Sequence, residues 1–238
     1  MKRWVSWVLA LAMVTMTLLP ASAEAVPQSA TPETAVTQEV QTEDDQEAIT
    51  GTYGVLSYTV NDDGTSCSIT DCDTSAKGEL EIPEEIDGYK VTSIGYSAFL
   101  CCSSLTSITI PKGVTSIGHL AFDNCKSLTS ITIPEGVTSI GDFAFSSCSS
   151  LTSITIPEGV TEIGSSAFEE CSSLTSIIIP KGVTEISGRA FEDCSSLTSI
   201  IIPEGVTEIG NDAFSGCSSL TSITIPEGVT EIGSDAFS

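Results

Sequence analysis

The sequence predicts a solenoid of stacked, right-handed parallel β coils, each 23 residues long. Three observations carry this. A unit typified by Cys148–Glu170, CSSLTSITIPEGVTEIGSSAFEE, recurs along the chain, and a fixed period of 20–50 residues marks a solenoid or array. Its key residues return in register: Cys102, Cys125, Cys148, Cys171, Cys194 and Cys217; Leu105, Leu128, Leu151, Leu174, Leu197 and Leu220; Phe99, Phe122, Phe145, Phe168, Phe191, Phe214 and Phe237. Inside the unit, Ile154 and Ile156 alternate with Ser153 and Thr155. That period of two describes a strand with one buried face.

Within the unit, LTSITIP is the first strand, ended by Pro157 because proline cannot donate to a ladder. Ile156-Pro157-Glu158-Gly159 suits a type I turn, with Pro second and Gly fourth. Val160 and Ile163 bracket a shorter second strand, and Gly164 permits a corner. Ser165–Glu170 reads as one helical or 3-10 turn around Ala167 and Phe168. A lone unit cannot bury its apolar face, whereas stacked units can. Coils paired in parallel sit roughly 4.8 Å apart, so equivalent side chains form ladders. The expected buried set is Leu151, Ile154, Ile156, Val160, Ile163, Ala167 and Phe168, joined by Cys148.

The pattern C-x-x-L-x-x-I-x-I-P-x-G-V-x-x-I-G-x-x-A-F resembles the BspA-like class of bacterial leucine-rich repeats. The resemblance covers residues 79–238. It implies a leucine-rich repeat solenoid, a surface or secreted location, and adhesion to host proteins or other cells.

Read in order, Met1–Ala23 has the plan of a secretory signal peptide: Lys2 and Arg3, an apolar Trp4–Leu19, then Ala21-Ser22-Ala23. The alternative is an uncleaved anchor. Residues 24–50 form a linker with seven acids and no base. Such a composition cannot offset the entropy of ordering, so disorder is expected. Residues 51–101 are an N-terminal cap, in which TYGVLSYTV and CSIT flank NDDG as a β-hairpin. Its second part is a variant first repeat, with five extra residues between Pro83 and Val91. Residues 102–238 are six repeats, the last incomplete. The sequence shows no transmembrane anchor, and its last coil, uncapped, invites self-association.

The 8 basic and 32 acidic residues give a formal charge of −24, and loss of Lys2 and Arg3 with the leader makes it −26. That opposes nucleic acid and anionic membranes as partners. Nine cysteines in a secreted chain normally suggest a disulfide scaffold. The six repeat cysteines argue otherwise: stacked Cβ atoms sit about 4.8 Å apart, whereas a disulfide needs roughly 3.8 Å. They are expected as a ladder of free thiols, with Cys67 and Cys72 the candidates to pair and Cys101 left over.

No catalytic site is expected, and no cofactor. His119 is the sole histidine, in a variable segment where other coils carry Asp142, Ser165 or Asn211, and it reads as surface. No CxxC, HExxH or phosphate loop is present in the sequence. Asn61-Asp62-Asp63-Gly64 could suggest calcium, but a tight turn fits better. Glu162, Glu185, Glu208 and Glu231 should stack as a solvated edge, with weak Ca²⁺ binding as the sharper alternative.

The functional expectation is a binding module that presents a concave face, built by the first strands, to a protein or glycan. The outward residues are Ser107, Thr109, Ser130, Thr132, Ser153, Thr155, Ser176, Ile178, Ser199, Ile201, Ser222 and Thr224. A structural spacer or self-associating segment is the second reading. Ice binding is a third, weakened by Ile178, Ile201 and the preference for Ser over Thr.

Overall fold

A computed structural model describes residues 48–238. The expected leader, and the linker as far as residue 47, lie outside the described residues. The cap opens with β1 (Thr50–Tyr53), β2 (Leu56–Val60) and β3 (Ser66–Cys72), followed by β4 (Lys77–Glu81), β5 (Glu85–Ile86) and β6 (Tyr89–Ile94). Thr50, assigned above to the linker, already pairs with Thr59. The expected β2–β3 hairpin is present, antiparallel with a bulge at Ser57/Tyr58. The stretch TYGVLSYTV is not one strand, however. It folds back at Gly54, whose φ of 61° suits glycine, and pairs with itself as β1–β2. The five extra residues make a further hairpin, β5–β6, turning on Asp87 and Gly88 with φ of 52° and 92°. Two positive φ values in a two-residue loop define the primed turn that matches strand twist. The hairpin is tied back by the Tyr58 hydroxyl, which donates to Asp87 Oδ2 at 2.7 Å. Loss of that bond on deprotonation pushes the phenol up to about 12.

Each coil then contributes a short second strand, and four of the six contribute a first strand; the sixth coil's stretch 222–224 forms no strand. The first strands are β7 (Ser104–Thr109), β9 (Ser130–Thr132), β12 (Ser176–Ile178) and β14 (Ser199–Ile201). The third coil contributes bridges, Thr132 to Thr155 and Ser153 to Ser176. The second strands are β8 (Ser116–Ile117), β10 (Ser139–Ile140), β11 (Glu162–Ile163), β13 (Glu185–Ile186), β15 (Glu208–Ile209) and β16 (Glu231–Ile232). Pairing between coils is parallel and in register, Ile177 on Ile200 and Ile209 on Ile232. The buried set is the one expected: Cys148, Leu151, Val160, Ala167 and Phe168 are fully buried, and Ile154, Ile156 and Ile163 nearly so. Six phenyl–phenyl contacts run from Phe99 to Phe237, with centroids 5.1–5.5 Å apart and planes within 12°. Since ring planes in contact lie about 3.5–4 Å apart, these rings are offset, the arrangement aromatic pairs prefer.

Two local readings need correction. The Pro turn starts one residue later than expected, because Val160 N–H donates to Pro157 C=O at 3.1 Å. Closing there turns Val160 into the core. The expected helical turn is also absent. In Ser165–Glu170, alternate N–H groups have different targets. Ala167, Glu169 and Cys171 donate three residues back, while Ser166, Phe168 and Glu170 donate to Gly188, Ala190 and Glu192 of the next coil. A helix would keep all of these donors inside the coil. To swing every second one outward, Ser166 and Glu170 adopt φ of 55° and 56°.

The second-strand ladder has one break. One sheet runs β1-β2-β3-β6-β8-β10-β11, and the second strands resume separately as β13-β15-β16. The reason is steric. Coils approach so closely at the corner glycine that a Cβ on Gly141 would lie 2.6 Å from His119 N, and on Gly164 2.5 Å from Asp142 N. In the coil after β11 the order is Ile186-Ser187-Gly188, with serine at the corner. There the Ser187 hydroxyl, at 2.8 Å, takes the Ile163 carbonyl, the role that Gly164 N–H plays for Ile140 in the coil before. A polar cleft of about 360 Å³ opens at this junction, bordered by Thr161, Glu162, Thr184 and Glu185.

Candidate binding face

The first strands put two expected columns on one face. Ser130, Ser153, Ser176, Ser199 and Ser222 are exposed in one, and Ser107 is half-buried. Thr109, Thr132, Thr155, Ile178, Ile201 and Thr224 are all exposed in the other. Ile178 and Ile201 are register partners across β12–β14 and are 67% and 70% exposed. Burial of Ile108, Ile131, Ile154, Ile177 and Ile200 behind them fixes which side faces out.

A third column escaped the period-two reading. Thr106, Thr129, Thr152, Thr175 and Thr198 are exposed, and from Thr129 onward each precedes another exposed residue. Their hydroxyls from Thr129 onward donate to the threonine carbonyl of the previous coil, at 3.0–3.4 Å. The signal was the invariant Thr-Ser pair after each Leu, which breaks strict alternation. This column straps coils together, whereas the Ser and Thr/Ile columns have side chains free to meet a partner. None of the three columns contains a charged residue, in a chain of formal charge −24.

Other singled-out residues have structural roles. His119 Nδ1 accepts from Asp142 N–H at 3.1 Å, and Asp142 Oδ1 accepts from Ser165 N–H at 2.8 Å. Asn211 Oδ1 does the same for Ser234 at 2.7 Å. At His119, Asp142 and Asn211 the side chain after the corner glycine therefore holds the next coil's backbone. Asp63 turns its carboxylate inward on the loop, accepting from Thr65 N–H, Ser66 N–H and Ser66 hydroxyl at 2.7–2.8 Å. Those bonds, the one from Thr65 first, hold its carboxyl below the usual range. The Glu column is interrupted: Glu185, Glu208 and Glu231 pair in register, but Glu162 pairs with Ser139 across the break from Glu185. Among the described residues, no three His, Cys, Asp or Glu side chains converge as metal ligands.

No disulfide joins any of the nine cysteines in this structure. Cys67 and Cys72 do not pair, because both lie on β3, five residues or about 16 Å apart along a strand. The ladder thiols do more than fill space. Cys125, Cys148, Cys171, Cys194 and Cys217 each donate to a Phe carbonyl of the previous coil at 3.1–3.2 Å. Burial pushes Cys148 up to about 12 and Cys217 to about 11. These thiols stay protonated, and so unreactive, at neutral pH.

A phenyl spine, a thiol ladder and an uncharged strand face together define a leucine-rich repeat β-solenoid. The chain belongs to the BspA type leucine-rich repeat family, whose repeat region it matches in 6 copies over residues 79–198 and 184–238. It is similar to the T. pallidum leucine rich repeat protein, with 35% identity and a TM-score of 0.71, over 75% of this chain and 83% of that one. It is also similar to a leucine rich cell surface protein from Faecalibacterium prausnitzii A2-165, with 38% identity and a TM-score of 0.71. That match covers 80% of this chain but 52% of the other, about half its length. Among curated proteins nothing matches the sequence. No helix of the described residues is long and apolar enough to cross a membrane.

Proposed function

We propose that this chain is a secreted or surface-displayed binding module of adhesion type, not an enzyme, which recognises a partner protein through its first-strand face. The observation that carries the reading is the Ile178–Ile201 pair. In the other four coils the position holds Thr109, Thr132, Thr155 or Thr224. Here two adjacent coils expose isoleucine side by side on a polar, uncharged sheet. An apolar pair ringed by neutral hydroxyls has the layout of a binding hot spot, desolvated at its centre and polar at its rim. The F. prausnitzii relative, described as a cell surface protein, supports the location.

The double change Ile178→Thr with Ile201→Thr tests it. Both positions then match the rest of the column, so the melting curve should hardly move. Affinity for a protein retained from host or bacterial surface extracts should fall tenfold or more, about 1.4 kcal/mol. A change within twofold would remove this patch from the docking surface.

A further inference from the structure

We propose that Cys72 and Cys102 form a disulfide that staples the N-terminal cap to the first coil of the array. Cys72 ends β3 and is 2% exposed, and Cys102 opens the first coil and is fully buried. From Cys125 onward, each ladder thiol has a Phe carbonyl 26 residues behind it. Cys102 does not, since the residue 26 before it is Ala76. Its thiol turns to the Cys72 carbonyl instead, at a long 3.7 Å. Cys72 is no better served, donating to Asp73 C=O at 3.7 Å. The 3.7 Å approach to the Cys72 carbonyl brings the Cys102 thiol against Cys72 itself, and the neighbouring Cys102 thiol, then burial, pushes the Cys72 thiol up. The pair therefore brings together, on contacting residues, two buried thiols that each have only a long hydrogen bond to a backbone carbonyl.

Geometry separates this pair from the rest. Ladder cysteines are copies displaced along the stack, so their Cα–Cβ bonds run side by side and never converge. Cys72 and Cys102 are 30 residues apart, off the 23-residue period, and approach from different elements. Cys67 points elsewhere, to Tyr89 C=O at 3.8 Å, and Cys101 is exposed. The bond would form by exchange with a small disulfide such as oxidised glutathione. One protein thiolate attacks the donor and releases its first thiolate. The second protein thiolate then attacks the mixed disulfide and releases the other. Two protein thiols are oxidised to one S–S bond, the donor disulfide is reduced to two thiols, and the protein's two protons pass to them. Burial slows the first step until the cap breathes, so the reaction should take hours.

In the cell this rests on the extracellular reading above, but the test supplies its own oxidant and does not depend on it. The reduced full chain is equilibrated with oxidised and reduced glutathione, unfolded in denaturant, alkylated and digested. The expected product has lost about 2 Da. Seven of the nine cysteines should be alkylated, and one cross-linked peptide should join Cys72 to Cys102. Cys101→Ser should keep the link, and Cys102→Ser should abolish it. Nine alkylated cysteines, or a link through Cys67, Cys101 or a later ladder cysteine, would overturn the proposal. The wild-type map decides by itself should a variant fail to fold.

Discussion

Phe168→Ala should destabilise the array by about 3–5 kcal/mol, the usual cost of emptying a phenylalanine site in a core. The ring is fully buried and stacked on both sides, at 5.4 Å on Phe145 and 5.5 Å on Phe191. Phe237 touches only Phe214, at 5.4 Å, and is 41% exposed. Phe237→Ala should therefore cost about 1 kcal/mol or less. The difference follows from quasi-one-dimensional stacking, in which an interior coil has two interfaces and an end coil one. Urea melts of the two variants measure it, and equal losses would mean that the spine is not what holds the coils.

Gly141→Ala should rank next, at about 2–3 kcal/mol, in the upper range for overpacked sites. The added methyl would meet His119 N at 2.6 Å and Gly118 C at 2.7 Å, both backbone atoms that cannot rotate away. The chain already shows how such a strain is relieved. At Ser187 the second-strand sheet parts, and a hydroxyl replaces the backbone donor. Gly141→Ala should open the same gap between β8 and β10, seen as faster amide exchange at Gly141. The converse exchange, Ser187→Gly with Gly188→Ser, should close the existing gap. It should raise stability by about 1 kcal/mol, the typical worth of a net hydrogen bond or two. Matching melts for Gly141→Ala and wild type would contradict the steric account.

Most of the fold was legible in the sequence because the repeat lets one coil be read six times. Residues buried by period two, such as Ile154 and Ile156, and by recurrence, such as Phe168 and Cys148, stand where expected. What escaped reading depends on atoms of a neighbouring coil. The Ser165–Glu170 turn looks helical when a coil is considered alone, and only the next coil's carbonyls explain its outward N–H groups. The thiol of Cys148 looks like filler until Phe122 of the coil before is placed beside it at 3.2 Å. Thr152, for which the alternation of the strand gives no role, is exposed and straps two coils through the Thr129 carbonyl. The break at Ser187 was visible in the letters, as I-S-G in place of I-G-x, but its effect needs the 2.5–2.7 Å approach of the backbones. The cap was least legible: Gly54 and Asp87-Gly88 each carry a turn signal, but neither falls within the repeat.

The face itself was legible residue by residue, because alternation separates Ser153 and Thr155 from the buried isoleucines. Its partner was not, since a face of neutral hydroxyls and two isoleucines can be complementary to many surfaces. The most direct test is retention of surface-extract proteins on three immobilised chains: wild type, Ser153→Arg with Thr155→Arg on the face, and Ser165→Arg on the turn side. All three positions are exposed, so each variant should fold. Wild type and Ser165→Arg should retain the same protein, and the face variant should lose it at least tenfold. Equal retention by all three chains, or by none, would contradict a binding role for the strand face.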